Sequence, residues 1–215
     1  MYIAIEGVIG VGKTTLTRML QSRLEANLLL EVFEENPFLS SFYADRARYA
    51  FQTQIFFLLS RYNQQRYGVP TLLEGGQSLI SDYTFEKDSL FARINLQGDE
   101  LETYHRVHEA LIEKIIPPAL VVYLRASTST LMQRIVLRDR PYERNMEVEY
   151  IAELNQAYDE FFLTPNPRFA VLVIDSDQLD FVRRASDLDW IENRVRQTLR
   201  LPPFQPELPL EAMNR

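Results

Sequence analysis

The sequence predicts an α/β fold, a five-stranded parallel sheet covered by helices, and three observations carry that reading. Five short apolar, β-rich runs recur along the chain. Long segments with helical periodicity separate them, as the crossovers between parallel strands require. A glycine-rich turn, Gly7-Val8-Ile9-Gly10-Val11-Gly12-Lys13-Thr14, joins the first run to the first helical segment.

In chain order, Tyr2 to Glu6 is the first strand, and Lys13 to about Glu25 reads as the helix that follows it. The second strand is placed at Leu28 to Phe33, the third at Ser78 to Ser81, the fourth at Leu120 to Leu124 and the fifth at Ala170 to Ile174. Helices are predicted at Arg46 to Tyr67, Glu100 to Ile116, Ser129 to Arg138, Glu147 to Phe162 and Asp187 to Leu199. Gly75-Gly76 and Pro117-Pro118 break the chain ahead of strands three and four. Pro202, Pro203, Pro206 and Pro209 forbid a regular helix, so residues 201–215 are expected to form an extended Pro-rich tail after one domain spanning residues 1–200.

Composition narrows the function. Among the 215 residues, 23 Lys and Arg stand against 30 Asp and Glu, a formal charge of -7 that opposes binding to a nucleic-acid polymer. A small anionic ligand is still compatible, because Arg134, Arg138, Arg140 and Arg144 gather positive charge locally. No apolar run approaches the roughly 18 residues of a membrane span, and there is no cysteine. The expectation is a soluble cytoplasmic protein without a membrane partner.

The spacing Gly-x-x-x-x-Gly-Lys-Thr points to phosphate chemistry and makes the fold P-loop NTPase-like. Its glycines let successive N–H groups face an anion at a helix N-terminus, and the lysine reaches the outer phosphates. Residues Gly7 to Thr14, with Thr15, are therefore predicted to cradle ATP, with the Thr14 hydroxyl on Mg²⁺. Asp82, at the end of strand three, is the second candidate Mg²⁺ group, with capping of the next helix the lesser alternative. No Asn-Lys-x-Asp segment supports a guanine switch protein.

Arg134 and Arg138 share a helix face and Arg140 extends the patch, so a lid closing on the phosphates and an ordinary solvated basic face both fit. Strand order puts that segment where a lid stabilises developing charge. Glu31, near the end of strand two, opens into the crevice beside the phosphate turn and is suited to accept an acceptor hydroxyl's proton. Glu34 and Glu35 compete for the role, but Glu34-Glu35-Asn36-Pro37 reads more simply as a turn. Gln54 and Arg61 are two helical turns apart amid Phe51, Phe56, Phe57 and Leu58, as a surface stripe or as a base-reading edge between aromatics.

These residues together resemble the deoxynucleoside kinase family, of the bacterial deoxyadenosine and deoxyguanosine kinase type, over Tyr2 to Leu199. The resemblance lies in Ile5-Glu6-Gly7, Glu31 with Glu34-Glu35-Asn36-Pro37-Phe38, Tyr43, Gln54-Ile55-Phe56 through Ser60-Arg61, Asp82 with Asp88, and Arg134 to Glu143. It implies transfer of the ATP γ-phosphoryl group to the 5′-hydroxyl of a deoxynucleoside, with Glu31, Asp82, Lys13 and the lid arginines as catalytic groups. Tyr43 and Glu143 would bind the sugar. Gln54, Phe57, Arg61, Tyr83 and Asp88 would line the base and 5′ ends, with deoxyadenosine favoured over deoxyguanosine and deoxycytidine. A homodimer through the Ile55, Phe56 and Leu59 region is also implied. Asp82-Tyr83-Thr84 departs from the family's usual Asp-Arg-Ser or Asp-Arg-Thr, so an arginine expected at the 5′ end is absent.

A nucleoside monophosphate kinase would need positive charge near residues 31 to 61, where Arg46 and Arg48 are the candidates and three glutamates oppose them. A non-catalytic ATP-binding module is the other alternative. His105 and His108 read as a solvated helix face, and Asp175-Ser176-Asp177 as a turn beside the adenine or as a helix cap.

Overall fold

The apolar run at the start of the chain is the centre of the sheet, and its length is set by what it pairs with. The computed structural model describes residues 1–32, 35–144 and 146–202. Strands β1 (Tyr2–Glu6), β2 (Ala26–Leu29), β3 (Ser78–Ser81), β4 (Leu120–Arg125) and β5 (Ala170–Asp175) form one sheet in the order β2-β3-β1-β4-β5, all neighbours parallel. β1 is buried at all five positions, as covering on both faces demands.

Helices α1 (Lys13–Arg23), α2 (Leu39–Ala44), α3 (Arg46–Leu73), α4 (Lys87–Asn95), α5 (Gly98–Ile112), α6 (Thr128–Arg138) and α7 (Val148–Phe162) intervene. Two of these, α2 and α4, are absent from the pattern-based reading. They are six and nine residues long, too short for a 3.6-residue period to declare itself. α3 runs past the predicted end at Tyr67 and through Pro70, because Val69 is fully buried and Asn27 on β2 donates to the Leu72 carbonyl at 2.6 Å.

β2 is shifted from the predicted Leu28 to Phe33. Its ladder with the four-residue β3 ends at Leu29 opposite Ser81, and among the described residues no further strand pairing extends it. Of the expected strand, Phe33 lies outside the described residues, as do Glu34 and residues 203–215 of the expected tail.

The chain divides into two compact units, Met1–Gln178 and Leu179–Arg215, a division inside the span expected to be one domain. The first unit holds all five strands and α1 to α7. The second holds α8 (Ala185–Thr198), where Leu188, Ile191 and Val195 share a face and Arg196 pairs with Glu192 at 2.7 Å. Among the described residues no helix is long and apolar enough to cross a membrane.

Candidate active site

The phosphate turn leaves β1 at Gly7 and enters α1 at Lys13, and its shape depends on missing side chains. Gly7 has φ +147°, and a Cβ there would stand 2.4 Å from the Leu124 carbonyl oxygen. At Gly10, with φ +88°, a Cβ would meet Ile135 Cγ1 at 2.8 Å and the Leu131 carbonyl at 2.9 Å. Neither position tolerates a larger residue without moving backbone. Val8 and Val11 are buried, Ile9 reaches the cavity wall, and no side chain caps the N-terminus of α1 after Gly12. The first-turn N–H groups therefore face an incoming anion. Thr15 is exposed beside Thr14 and does not reach the cavity.

Lys13 folds back over the turn, its ammonium donating to the Gly7 and Val8 carbonyls at 2.6 and 3.2 Å. Burial, with the Lys87 ammonium adding to it, pushes Lys13 down to about 8, against the pull of Glu6, Glu31 and Asp82. Thr14 Oγ1 donates to Asp82 Oδ2 at 2.5 Å, and Asp82 Oδ1 accepts from the Glu31 backbone N–H at 2.8 Å. Two hard oxygen donors thus converge at the mouth of the turn, a donor set that suits Mg²⁺.

Glu31 stands two residues beyond β2, in the same cavity as Lys13, Thr14 and Asp82. Its Oε1 accepts from the Arg61 guanidinium, with Nε at 2.9 Å, and its Oε2 accepts from Lys87 Nζ at 2.5 Å. Burial would raise this carboxyl, but Arg61 and Lys87 outweigh it and hold the group well below the usual carboxylate range. Glu31 is a carboxylate throughout the physiological range. Glu35, its competitor, is exposed.

The acceptor side is walled by α2, α3, α4 and the turn after α6. Gln54 and Arg61 are both buried and line the cavity, so the surface-stripe alternative does not hold. Phe57 lies under the Arg61 guanidinium at 4.5 Å, and Tyr43 stacks on Tyr142 with centroids 5.9 Å apart. Glu143, buried, takes a bidentate pair from Arg138 (2.7 and 2.6 Å) and stands 3.7 Å from Arg140. Arg138 and Arg140 line the cavity beside Glu143.

Three expected residues sit elsewhere. Arg134 turns away from the cavity and donates to the Val11 carbonyl at 3.1 Å and to Ser176 Oγ and carbonyl at 3.1 and 2.8 Å, bracing the phosphate turn against the end of β5. Tyr83 is fully buried and its hydroxyl donates to Gln64 Oε1 at 2.5 Å, so it is a packing residue behind the wall. Asp88, fully buried, is paired with Arg61 and does not itself line the cavity. Asp177 accepts from the backbone N–H of Ser127 at 2.8 Å, and Ser127 in turn caps α6 with its own hydroxyl. His108 is buried against Phe85 and Tyr104 instead of facing solvent, and burial pushes it down to about 4. Arg46 pairs with Glu147 at 2.8 Å and Arg48 lies over Tyr49, so neither supplies a cation to the cavity.

Pattern reading missed Lys87, Phe91 and Tyr142 on the cavity wall. It also missed the work of Glu6, whose buried carboxylate accepts from Gly7 N at 3.1 Å and Thr84 N at 2.7 Å and so ties the phosphate turn to the segment carrying Asp82. Burial raises the Glu6 carboxyl above its usual range. A signal for Lys87 existed: the chain has 20 arginines and only three lysines, and one of those is Lys13.

With this geometry in place, a family model described as deoxynucleoside kinase matches residues 3–200. The deoxyguanosine kinase of Bacillus subtilis (strain 168) is 35% identical over 201 residues, 92% of this chain and 97% of that protein. The deoxyadenosine/deoxycytidine kinase of the same organism is 30% identical over 205 residues, covering 91% of this chain and 90% of that protein. Among solved structures, deoxyadenosine kinase from M. mycoides with bound dCTP is similar at a TM-score of 0.79 and 28% identity, with 92% of this chain and 100% of that chain covered.

Proposed function

The chain belongs to the deoxynucleoside kinase family, and from that premise we propose that it transfers the γ-phosphoryl group of ATP to the 5′-hydroxyl of a purine deoxynucleoside. One observation carries the reading. Glu31, held by Arg61 and Lys87, shares a cavity with Lys13, Thr14 and Asp82, and the acceptor-side cations Arg61, Lys87, Arg138 and Arg140 each stand beside a carboxylate, Glu31 or Glu143, which opposes a substrate that already bears a phosphate.

ATP lays its phosphates along the α1 N-terminus, displacing Lys13 from the Gly7 and Val8 carbonyls onto phosphate oxygens. Thr14 and Asp82 are the groups to hold Mg²⁺, which neutralises phosphate charge when bound. Phe57 and Gln54 hold the base, and Tyr43 and Glu143 the sugar. The 5′-oxygen forms a bond to the γ-phosphorus, the bond from that phosphorus to the β,γ-bridging oxygen breaks, and ADP leaves. Glu31 accepts the hydroxyl proton. With its basicity lowered by two cations, it orients the hydroxyl first and takes the proton late, which suits a loose transition state in which positioning dominates. Arg138 and Arg140 meet the charge that develops as the lid closes.

Gln54 presents one donor and one acceptor, the pattern that suits adenine and supports deoxyadenosine. A second reading has its own support. Arg61, a donor-only group, lines the cavity where Asp88 does not, and a donor suits the carbonyl of guanine, the base of the substrate for which the 35% identical relative is named. The family resemblance also supports a homodimer through Ile55, Phe56 and Leu59, of which Leu59 is 43% exposed, and a cytoplasmic site of action. Incubation with ATP, Mg²⁺ and each deoxynucleoside in turn, with identification of the product, tests the proposal. Formation of a 5′-monophosphate from deoxyadenosine or deoxyguanosine is expected. Phosphorylation of monophosphates alone would overturn it.

A further inference from the structure

We propose that Lys87 is a positioning residue for phosphoryl transfer: from the first turn of α4 its ammonium clamps Glu31 Oε2 and holds that carboxylate facing the acceptor hydroxyl. The inference rests on the kinase reading of the cavity and adds a residue that reading does not use.

Three observations carry it. Lys87 is 6% exposed yet lines the cavity, 2.5 Å from Glu31 Oε2 on the oxygen that Arg61 leaves open. Charge balance requires it. Glu31 and Asp88 bring two negative charges, Arg61 alone brings one positive charge to both, and Lys87 completes a neutral buried cluster. A buried carboxylate left half-paired is costly and turns toward whatever cation it finds. Placement is the third point. The first turn of a helix disfavours a cation, and Lys87 is the first residue of α4, so its position there needs a compensating contact. Position 83 offers no alternative, since the segment after Asp82 turns Tyr83 inward onto Gln64.

The test compares wild type, Lys87→Met and Lys87→Arg in steady state with ATP, Mg²⁺ and the best deoxynucleoside, alongside calorimetric titration of each with the deoxynucleoside alone. Lys87→Met is expected to lower kcat about 100-fold, the scale of a misplaced reacting group, with KM for ATP and the nucleoside Kd changing by less than about fivefold. Lys87→Arg keeps the charge and should recover at least about a tenth of the wild-type kcat. The Arg variant also preserves the buried charge pair if the Met variant does not fold. A Lys87→Met kcat within twofold of wild type overturns the inference, as do kcat and nucleoside affinity falling together with no recovery in Lys87→Arg. Wild type that phosphorylates no deoxynucleoside brings down the kinase reading instead, a different result from an active wild type indifferent to Lys87.

Discussion

The two halves of the cavity are built by opposite means. The phosphate side is eight consecutive residues, Gly7 to Thr14, whose working groups are backbone N–H donors and one lysine. The acceptor side gathers Glu31, Gln54, Arg61, Lys87 and Glu143 from segments more than a hundred residues apart, and apart from the amide of Gln54 its working groups are charges buried or half-buried in the wall. The first half is sensitive to added atoms and the second to removed charge.

That contrast is sharpest at Glu31. Glu31→Gln should cut kcat by about 10² to 10⁴, roughly 3–5 kcal/mol of barrier, while calorimetric ATP affinity stays near wild type. A normal rate would pass the hydroxyl to Asp82, whose carboxylate is one hydrogen bond away. On the phosphate side, Gly7→Ala should cost about 3 kcal/mol of stability, because the methyl meets the Leu124 carbonyl in a backbone region alanine avoids. ATP affinity should fall at least about tenfold with nucleoside affinity retained. Denaturant unfolding and separate titrations of the two ligands measure both.

Away from both halves of the cavity, His108 packs on Phe85 and Tyr104 and gives stability a pH dependence of its own. Its folded pKa, about 4, lies below the ordinary 6.5, so between those values the unfolded chain binds the extra proton. Stability from this group is fully present above pH 6.5 and is lost as pH falls toward 4, up to about 3 kcal/mol in all. His108→Phe should flatten that decline, read as melting temperature against pH. Arg106→Ala is the smallest expected effect: this i,i+4 partner of Glu102 is 76% exposed, and its loss should change stability by less than about 0.5 kcal/mol.

Much of this was legible from residues in order. The strands at Tyr2 to Glu6 and Ser78 to Ser81 are where periodicity puts them, and the phosphate turn is complete in its own spacing. Glu31 is where strand-end reasoning sends it, although β2 ends two residues earlier. Periodicity could not place Lys87, because it sits on a helix too short to show a period, and only the rarity of lysine in the chain marked it. Arg134 and Arg138 look equivalent four residues apart, yet one braces the turn and the other lines the cavity. His108 looked solvated among charged neighbours, and only the packing of Phe85 and Tyr104 encloses it.

By itself the sequence determined the sheet, the phosphate turn and the family, because those depend on apolar period and on glycines placed within a few residues of one another. Tertiary structure alone decided which charges meet. Whether Glu31 is held by Arg61 and Lys87, and whether Asp88 reaches a ligand or stays behind Arg61, depends on helices converging from distant parts of the chain, and no local pattern encodes that distance.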